Sequence, residues 1–305
     1  MKKTAHYSIG RPLQKWGETE KQAWLRVQKT KRSYEKDVLV NIEQLRADFD
    51  IQQYEELTYD SKTYPLMMLA TKDPSDNKPT VLITGGVHGY ETSGVHGAIH
   101  FLKTHGKEYQ TYFQFLVAPC VSPWSYETIN RWNPDTIDPN RSFYPDSPAA
   151  ECSSLMQAVF SKTQSVLAHF DLHETTDSDE DEFRPARAAR DGEVFEKQEI
   201  PDGFYLVADT SNYNPAFQKA MIDAVQKITH IAPSDAQGNI IDVPIEQPGV
   251  ILYDKQKYKL CAGFCQPTYS TTTEVYPDSP NINDEICIKA QVTAVKAGLD
   301  FILAT

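Results

Sequence analysis

The sequence predicts an α/β fold in which a mixed, largely parallel central β-sheet is flanked by helices. Short runs of β-forming residues alternate along the chain with segments of helical periodicity, and several runs are nearly continuously apolar, which is typical of buried strands. The 305 residues contain neither an internal repeat nor a linker long enough to separate two domains. One α/β unit therefore accounts for most of the chain.

The first fifty residues differ in character from the rest. Residues 12–48 are rich in Lys, Glu, Gln and Leu, and their apolar residues at mixed helical spacing predict two helices. We therefore expect a helical N-terminal extension over residues 1–50 and the α/β domain over residues 51–305. The lysines within residues 1–8 are not followed by an apolar region, so no signal peptide is expected.

The α/β domain begins with two runs of β-forming residues, 51–59 and 64–70, which the turn residues 60–62 connect as paired strands. The run 79–84 is nearly continuously apolar and stops at two glycines, and residues 93–102 then have helical character. The same criteria predict strands at 112–118, 166–172, 203–208, 250–253 and 268–276, and helices at 149–162, 215–228 and 283–303.

The charge balance limits the possible partners. Lys and Arg number 30 against 42 Asp and Glu, which gives a formal net charge of −12. The summed field repels phosphate backbones and anionic lipids, so we expect neither a nucleic acid nor a membrane partner. No segment approaches the roughly 18 to 20 apolar residues of a transmembrane helix. The 5 cysteines are spread thinly, which favours reduced thiols and a cytoplasmic location.

Two local clusters have structural rather than functional interpretations. Cys261 and Cys265 could form a redox or metal pair, but they lack a second pair and metal spacing, so we interpret them as buried structural cysteines. The acidic run 177–182, which three arginines follow, is interpreted as a solvated loop, with a functional lid as the alternative.

His88 and Glu91 follow the strand 79–84 and its glycines, where α/β sheets commonly present ligands to a cleft. An imidazole and a carboxylate three residues apart can lie on one side of a tight loop and bind Zn²⁺. His173 follows another apolar strand and should arrive at the same edge of the sheet. Two histidines and one carboxylate form a known catalytic zinc set, so these three residues predict one zinc ion per chain.

A polar loop and a strand contain further candidate catalytic and substrate-binding residues. Arg131 and Arg141 lie with Asn140 on one polar loop and could clamp a substrate carboxylate and stabilise an oxyanion, although pairing with local aspartates is the alternative. Glu274 lies in an apolar, β-branched strand, where a charge is costly unless it is paired or useful. Glu274 is therefore a candidate general base.

Taken together, these residues resemble the zinc carboxypeptidase (metallocarboxypeptidase) superfamily. Its pattern is His-x-x-Glu, then Arg-x-Asn with Asp-x-Asn-Arg, then a distant His and finally Glu. The chain has, in the same order, His88-x-x-Glu91, Arg131-x-Asn133, Asp138-x-Asn140-Arg141, His173 and Glu274. The match covers about residues 80–143, 166–176 and 268–277.

The resemblance implies that residues 51–305 form a zinc carboxypeptidase-like catalytic domain that releases C-terminal residues from peptides. His88, Glu91 and His173 would bind zinc. By the same resemblance, Glu274 would activate the water and Arg131 would polarise the scissile carbonyl.

The resemblance also assigns substrate-binding and supporting residues. Asn140 and Arg141 would hold the terminal carboxylate of the substrate, and Tyr253 would be the tyrosine that contacts it. Asp138 matches the aspartate that orients the first zinc-binding histidine. Lysines at 255, 257 and 259 raise the idea of a preference for acidic end groups, with a solvated lysine run as the alternative interpretation.

Two alternatives to a peptidase stay open. Residues 171–176 look like the aspartoacylase and succinylglutamate desuccinylase branch of the superfamily, whose members cleave N-acyl amino acids with the same zinc and glutamate. The substrate would then be an N-acyl amino acid with a free carboxylate. An inactive homologue that only binds ligands is the other alternative, but it would normally have lost a metal ligand or the base.

Overall fold

The computed structural model describes residues 7–75 and 77–305. The expectation that no signal peptide begins the chain depends on the first eight residues, of which 1–6 lie outside the described part. Among the described residues, no helix is long and apolar enough to cross a membrane.

The described strands form one ten-stranded sheet with the order β1-β2-β4-β3-β5-β10-β6-β9-β8-β7. Its strands are β1 Phe49–Tyr59, β2 Lys62–Thr71, β3 Thr80–Gly85, β4 Gln114–Ala118, β5 Ala168–Glu174, β6 Tyr205–Asp209, β7 Asn239–Ile240, β8 Val243–Gln247, β9 Val250–Tyr253 and β10 Tyr269–Val275.

The centre of the sheet is parallel and its margins are largely antiparallel. Strands β4, β3, β5 and β10 run in one direction. The hairpin of β1 and β2 joins β4 in the antiparallel sense, and β6 is antiparallel to β10 but parallel to β9. The predicted mixed sheet is therefore confirmed, with its parallel strands in the middle.

Helices cover both faces of the sheet, as the sequence predicts. The helix α6 (Ala150–Lys162) buries Leu155 and Val159 against one face. On the other face, α3 (Thr92–Phe101) and α8 (Pro215–Val225) both pack against α9 (Asp284–Ala304). Helix α3 continues through a π-helical turn, Leu102–Gly106, into the short α4, Lys107–Tyr109, and the six-residue α5 is Pro123–Thr128.

The N-terminal segment contains the two expected helices, α1 (Glu18–Val27) and a π-helical turn, Glu35–Leu39, that continues into α2 (Val40–Glu43). This segment contributes to the main core. Trp24 is buried against Trp132, with ring centroids 5.4 Å apart. The division of the chain at residue 50 stays a prediction, although the side chains before it share the core of the domain.

The acidic segment differs from the prediction of a solvated loop. It forms a π-helical turn, Asp179–Phe183, that leads directly into the helix α7 (Arg184–Asp191). Asp179 and Glu180 are buried, because each carboxylate meets an arginine. Asp177, Asp181 and Glu182 are exposed, as the composition suggests. The other two carboxylates can be buried because Asp179 pairs with Arg131, distant in the chain, and Glu180 pairs with Arg184, four residues later.

The cysteines are free thiols, as the sequence analysis predicts. All five cysteines are free thiols, and all are buried except Cys265, which is half-buried. Burial raises the pKa of Cys265 to about 12, which disfavours its reactive thiolate form.

Candidate functional site

The central parallel strands bring the predicted site residues to one edge of the sheet. Along β5, the residues Phe170 and Leu172 enter the core beneath α9. Side chains alternate across a strand, so His169, Asp171 and His173 point to the opposite face. His88 reaches the same place from the loop that follows β3.

The loop that carries His88 and Glu91, residues 86–91, is held between two elements. A Cβ on Gly89 would lie 1.9 Å from the carbonyl carbon of Ser125, so only glycine allows α5 to pack this closely. Arg32, from the N-terminal segment, donates to the carbonyl oxygen of Gly89. On the other side, the Glu174 carboxylate accepts from the first amides of α3, at 2.6 Å from the amide of Ser93. The loop is thereby fixed before any ligand binds.

Three predicted metal ligands converge. The Nδ1 atom of His88 lies 2.7 Å from Oε1 of Glu91, and Nδ1 of His173 lies 2.8 Å from Oε2 of the same carboxylate. The two imidazole centroids are 5.2 Å apart. His88, Glu91 and His173 are all buried and form a group that could hold a metal ion.

Each imidazole also has a carboxylate partner at Nε2, the ring nitrogen on the side opposite Glu91. Nε2 of His88 lies 2.9 Å from Asp138, and Nε2 of His173 lies 2.9 Å from Asp171. An acceptor at Nε2 keeps the proton there and leaves the Nδ1 lone pair for a metal. Asp171 was not singled out from the sequence, although its position two residues before His173 places it on the same face of the strand.

The donor set suits zinc. Oε2 of Glu91 is buried and has no hydrogen bond of good geometry, although Nδ1 of His173 is 2.8 Å away. Burial alone would raise the pKa of Glu91, but His173 and His88 lower it to about 2. An anionic oxygen and two imidazole nitrogens in a buried cluster are the ligands that catalytic zinc sites use, with a fourth position left for water.

Arg131 lies beside this cluster and is not a surface residue. Its Nε donates to Asp138 at 3.0 Å, and Nη1 donates to Tyr90 at 3.1 Å and to Asp179 at 3.2 Å. Asp138 therefore connects Arg131 to His88. The sequence analysis missed Tyr90 and Asp179, because nothing in their local context indicates a shared partner.

Asn140 and Arg141 lie on the short 3₁₀ turn Pro139–Arg141 and face the same pocket. Oδ1 of Asn140 accepts from the amide of Cys261 at 2.8 Å, so the amide side chain is held in one orientation. Arg141 is exposed and donates to the carbonyl oxygen of Asn140 at 2.6 Å. The other donors of the Arg141 guanidinium have no hydrogen-bond partner among the described residues, and the residue lines the pocket.

Glu274 is on β10, in register with His173 on β5. Its Oε2 accepts from the hydroxyl of Thr175 at 2.9 Å, and that hydroxyl lies 2.8 Å from the hydroxyl of Tyr205. Burial raises the pKa of Glu274 to about 7, against the opposing effect of His173. A carboxylate with such a pKa can both accept and donate a proton near neutral pH.

Tyr253 ends β9 and lines the pocket, with its ring centroid 5.7 Å from that of Tyr258.

Lys255 is fully buried, which contradicts the interpretation of a solvated lysine run at this position. Its ammonium group donates to Thr272 at 3.1 Å and to Ser270 at 3.3 Å. Burial lowers the pKa of Lys255 to about 8. None of the three lysines lines the pocket, so the idea of acidic preference loses its original basis.

The pocket itself has a volume of about 370 Å³. It brings together every predicted site residue except Asp138, which lies behind His88. Those lining residues are His88, Glu91, Arg131, Asn140, Arg141, His173, Tyr253 and Glu274. Arg184 and Arg187 of α7 form part of its wall, and the sequence analysis had given them no role.

A second group beneath the pocket, His169, Asp171 and Cys261, also has metal-ligand atoms within reach of one another. Its members already have partners, since the Thr84 hydroxyl lies 2.6 Å from Asp171 and 2.9 Å from Nε2 of His169. Burial and, to a smaller extent, the charge of Lys255 lower the pKa of His169 to about 4, and the ammonium group of Lys255 would also repel a cation. This group is therefore better described as the support of His173.

Comparisons with known proteins agree with this geometry. Residues 77–183 match the family model described as the succinylglutamate desuccinylase/aspartoacylase catalytic domain. Comparison with curated proteins gives no significant match.

Solved structures share the fold. A protein from Shewanella amazonensis SB2B, provisionally described as a metallopeptidase, is 19% identical with a TM-score of 0.66, over 88% of this chain and 91% of that one. A metallo-carboxypeptidase from Burkholderia cenocepacia is 16% identical with a TM-score of 0.55, over 94% and 70%. A metallo-carboxypeptidase from Pseudomonas aeruginosa, in complex with (2-guanidinoethylmercapto)succinic acid, is 13% identical with a TM-score of 0.56, over 87% and 68%.

The fold is that of the metallocarboxypeptidases, and the family model covers the segment that carries His88, Glu91 and His173. The resemblance to the zinc carboxypeptidase superfamily, with its aspartoacylase branch, is thereby confirmed.

Proposed function

We propose that this chain is a zinc-dependent hydrolase that cleaves an amide bond next to a free carboxylate, as a metallocarboxypeptidase does. The observation that carries the proposal is the convergence on one pocket of a buried ligand set, a carboxylate on the neighbouring strand and an asparagine–arginine pair. Each group alone is common in proteins. Together they would hold a metal ion, act as the base and anchor the substrate.

The zinc ion would be held by His88, Glu91 and His173, with Asp138 and Asp171 keeping the two imidazoles oriented. When bound, zinc would supply Lewis-acid chemistry, lowering the pKa of a water molecule and polarising the substrate carbonyl. The protein contributes a rigid, buried donor set.

Glu274 and Arg131 would carry out the remaining chemistry. Glu274 would take the proton of the attacking water and then deliver it to the departing amine, a double task that its pKa of about 7 permits. Arg131 would stabilise the negative charge that develops on the carbonyl oxygen. Asp138 and Asp179 hold the guanidinium of Arg131 in place before the reaction begins.

Asn140 and Arg141 would bind the free carboxylate of the substrate and so fix which amide bond reaches Glu274. Paired donors on one turn suit bidentate recognition of a carboxylate. Tyr253, across the pocket, would contact the substrate through its ring and hydroxyl.

A second candidate is an N-acyl amino acid deacylase, which the match of residues 77–183 to the desuccinylase/aspartoacylase model favours. The metal, base and carboxylate anchor would act in the same way. Only the group on the acyl side of the scissile bond would differ.

A substrate panel tests both candidates with the zinc-loaded protein. Peptides with a free C-terminus should be cleaved, and the same peptides with an amidated C-terminus should lose most turnover, because Arg141 loses its anionic partner. Equal turnover of free and amidated peptides would indicate an endopeptidase and overturn the proposal. Faster cleavage of N-acyl amino acids than of any peptide would select the deacylase.

A further inference from the structure

Tyr205, on β6, is an in-register neighbour of the candidate base. Glu274 lies in the middle of three adjacent strands, opposite His173 on β5 and opposite Tyr205 on β6. Side chains in register on neighbouring strands leave the same face of a sheet, so the base has a candidate metal ligand on one side and a phenol on the other. Tyr205 is buried and lines the pocket, but the proposed function gives it no role.

Two hydroxyl groups in series join Tyr205 to the base. The Tyr205 oxygen lies 2.8 Å from Oγ1 of Thr175, and Thr175 donates to Oε2 of Glu274 at 2.9 Å. Thr175 follows β5 directly, and its amide donates to the carbonyl oxygen of Val275 at 2.9 Å. The ring of Tyr205 packs in an apolar cluster with Ile251 of β9. Both hydroxyl groups are therefore carried by buried residues that the sheet holds in place.

The protons of this series have one arrangement when Glu274 is ionised. A hydroxyl group has one proton, and Thr175 gives its proton to the carboxylate, which only accepts. The hydroxyl of Tyr205 must then donate to Oγ1 of Thr175. Burial raises the pKa of Tyr205 well above its usual value, so the phenol keeps the proton that it donates. Hydrogen bonds in series polarise and strengthen one another, so the phenol strengthens the bond that Thr175 makes to Glu274.

The two oxygens of the Glu274 carboxylate have different surroundings. Oε2 accepts from Thr175, whereas Oε1 has no hydrogen-bond partner among the described residues. In the same part of the chain, the hydroxyl of Tyr205 has Thr175 as its only hydrogen-bond partner. A general base is effective when it is held in a fixed geometry within hydrogen-bond reach of the proton that it takes. Holding one oxygen of the carboxylate fixes the position of the other.

We infer that Tyr205 is a positioning residue for the reaction. Through Thr175, it holds Oε2 of Glu274 and leaves Oε1 as the oxygen that takes the proton of the attacking water and returns it to the departing amine. The inference deepens the proposed function and rests on it for the role of Glu274. Because Tyr205 acts through the base, loss of its hydroxyl group should slow the chemical step rather than weaken substrate binding.

Turnover of the zinc-loaded protein, on the amide that it cleaves fastest, tests the inference. Tyr205→Phe should lower kcat by about fivefold, because it removes a neutral hydrogen bond. Thr175→Val should lower kcat by about tenfold or more, because it removes the hydrogen bond to the charged group. KM should stay within about twofold in both variants, since neither change removes a group that binds the substrate.

Two further variants separate positioning from packing. Thr175→Ser keeps the hydroxyl group and should restore most of the turnover that Thr175→Val loses, whereas a packing role predicts the reverse, because valine keeps the shape of threonine. Tyr34→Phe is the matched control, because Tyr34 is a buried tyrosine outside the pocket whose hydroxyl donates to the carbonyl oxygen of Pro65 at 2.8 Å. An unchanged kcat in Tyr205→Phe, or an equal loss in Tyr34→Phe, would overturn the inference.

Carbon-13 NMR of the glutamate carboxyl groups keeps the inference separate from the proposed function. The signal of Glu274 is identified by its loss in Glu274→Gln, and it should move in Tyr205→Phe and Thr175→Val but not in Tyr34→Phe. If no amide is cleaved and the signal moves in this way, the proposed function fails and the positioning of Glu274 by Tyr205 stands. If the signal is unchanged in Tyr205→Phe, the inference is wrong whether or not amides are cleaved.

Discussion

Glu274 and His173 face each other in register on the parallel strands β10 and β5. Both side chains leave the same face of the sheet, so the candidate base and a candidate metal ligand are set side by side by backbone hydrogen bonds rather than by loops. A catalytic pair on adjacent strands is more rigid than one on mobile connections. The relative position of the two strands should therefore survive substitution of either side chain.

Glu274→Gln should retain the fold and the zinc content but lose turnover. Glutamine keeps the size and the contact with Thr175 while removing the base. General-base catalysis contributes about 10²- to 10⁴-fold, and the loss should reach that range because Glu274 also returns the proton to the amine. Zinc stoichiometry, melting temperature and turnover are measured on one preparation. Near-normal turnover would remove Glu274 from the mechanism.

His173→Ala should abolish stoichiometric zinc binding, since it deletes one of three buried ligands. His230→Ala is the control, because the His230 side chain is exposed and pairs with Asp202 at the surface, away from the pocket. Metal analysis of both variants after dialysis checks the prediction. Full retention of zinc by His173→Ala would show that the ligand set is wrong.

Asp171→Asn should weaken zinc binding by about 10- to 100-fold without preventing it. The carboxylate of Asp171 holds the Nε2 proton of His173 and accepts from Thr84 at 2.6 Å. Asparagine keeps the size but removes the charge that makes the imidazole a better donor. Competition with a zinc chelator measures the affinity. An unchanged affinity would mean that Asp171 is only part of the core.

Arg32→Gln should lower the free energy of unfolding by about 2–3 kcal/mol, because hydrogen bonds of a charged donor are lost. Arg32 donates to the carbonyl oxygens of Tyr126 and Gly89 and to the hydroxyl of Thr92 at 2.6 Å. Denaturant unfolding of this variant is compared with that of Arg26→Gln, which should change stability by less than about 0.5 kcal/mol. Equal small effects of both changes would mean that the N-terminal segment does not anchor the loop 86–91.

Glu151→Gln should remove a pH dependence of stability. Glu151 is buried and neither carboxylate oxygen has a hydrogen bond of good geometry. Burial raises its pKa from 4.5 to about 7, against the opposing effect of the nearby Asn133 side chain. The native state then keeps a proton that the unfolded chain has released, so this group lowers stability as pH rises towards 7.

Between pH 5 and pH 8, Glu151→Gln should therefore gain about 2 kcal/mol in unfolding free energy relative to the native protein. The other titrating groups are common to both proteins and cancel in the difference. Urea unfolding at the two pH values provides the measurement. A constant difference would show that Glu151 is not protonated by burial.

The chain sequence by itself determines the fold class and most of the candidate site. Strand runs ended by glycine or polar residues place His88 and His173 at the ends of neighbouring parallel strands, because such strands share one edge. Glu274 is recognisable because a charged residue interrupts a strand rich in β-branched residues. The sequence analysis missed the strands β7 and β8, the six-residue α5 and the eight-residue α7 that follows the acidic segment.

Tertiary structure alone decides which charges are buried and which side chains serve the site. Local composition made residues 177–182 appear solvated, yet Asp179 is buried because Tyr90 and Arg131, 89 and 48 positions away in the chain, bind it. Arg187 likewise reaches the pocket because α7 packs there. The physical reason is that the cost of burying a charge depends on its partners, and those partners are brought together by folding rather than by neighbouring positions in the sequence.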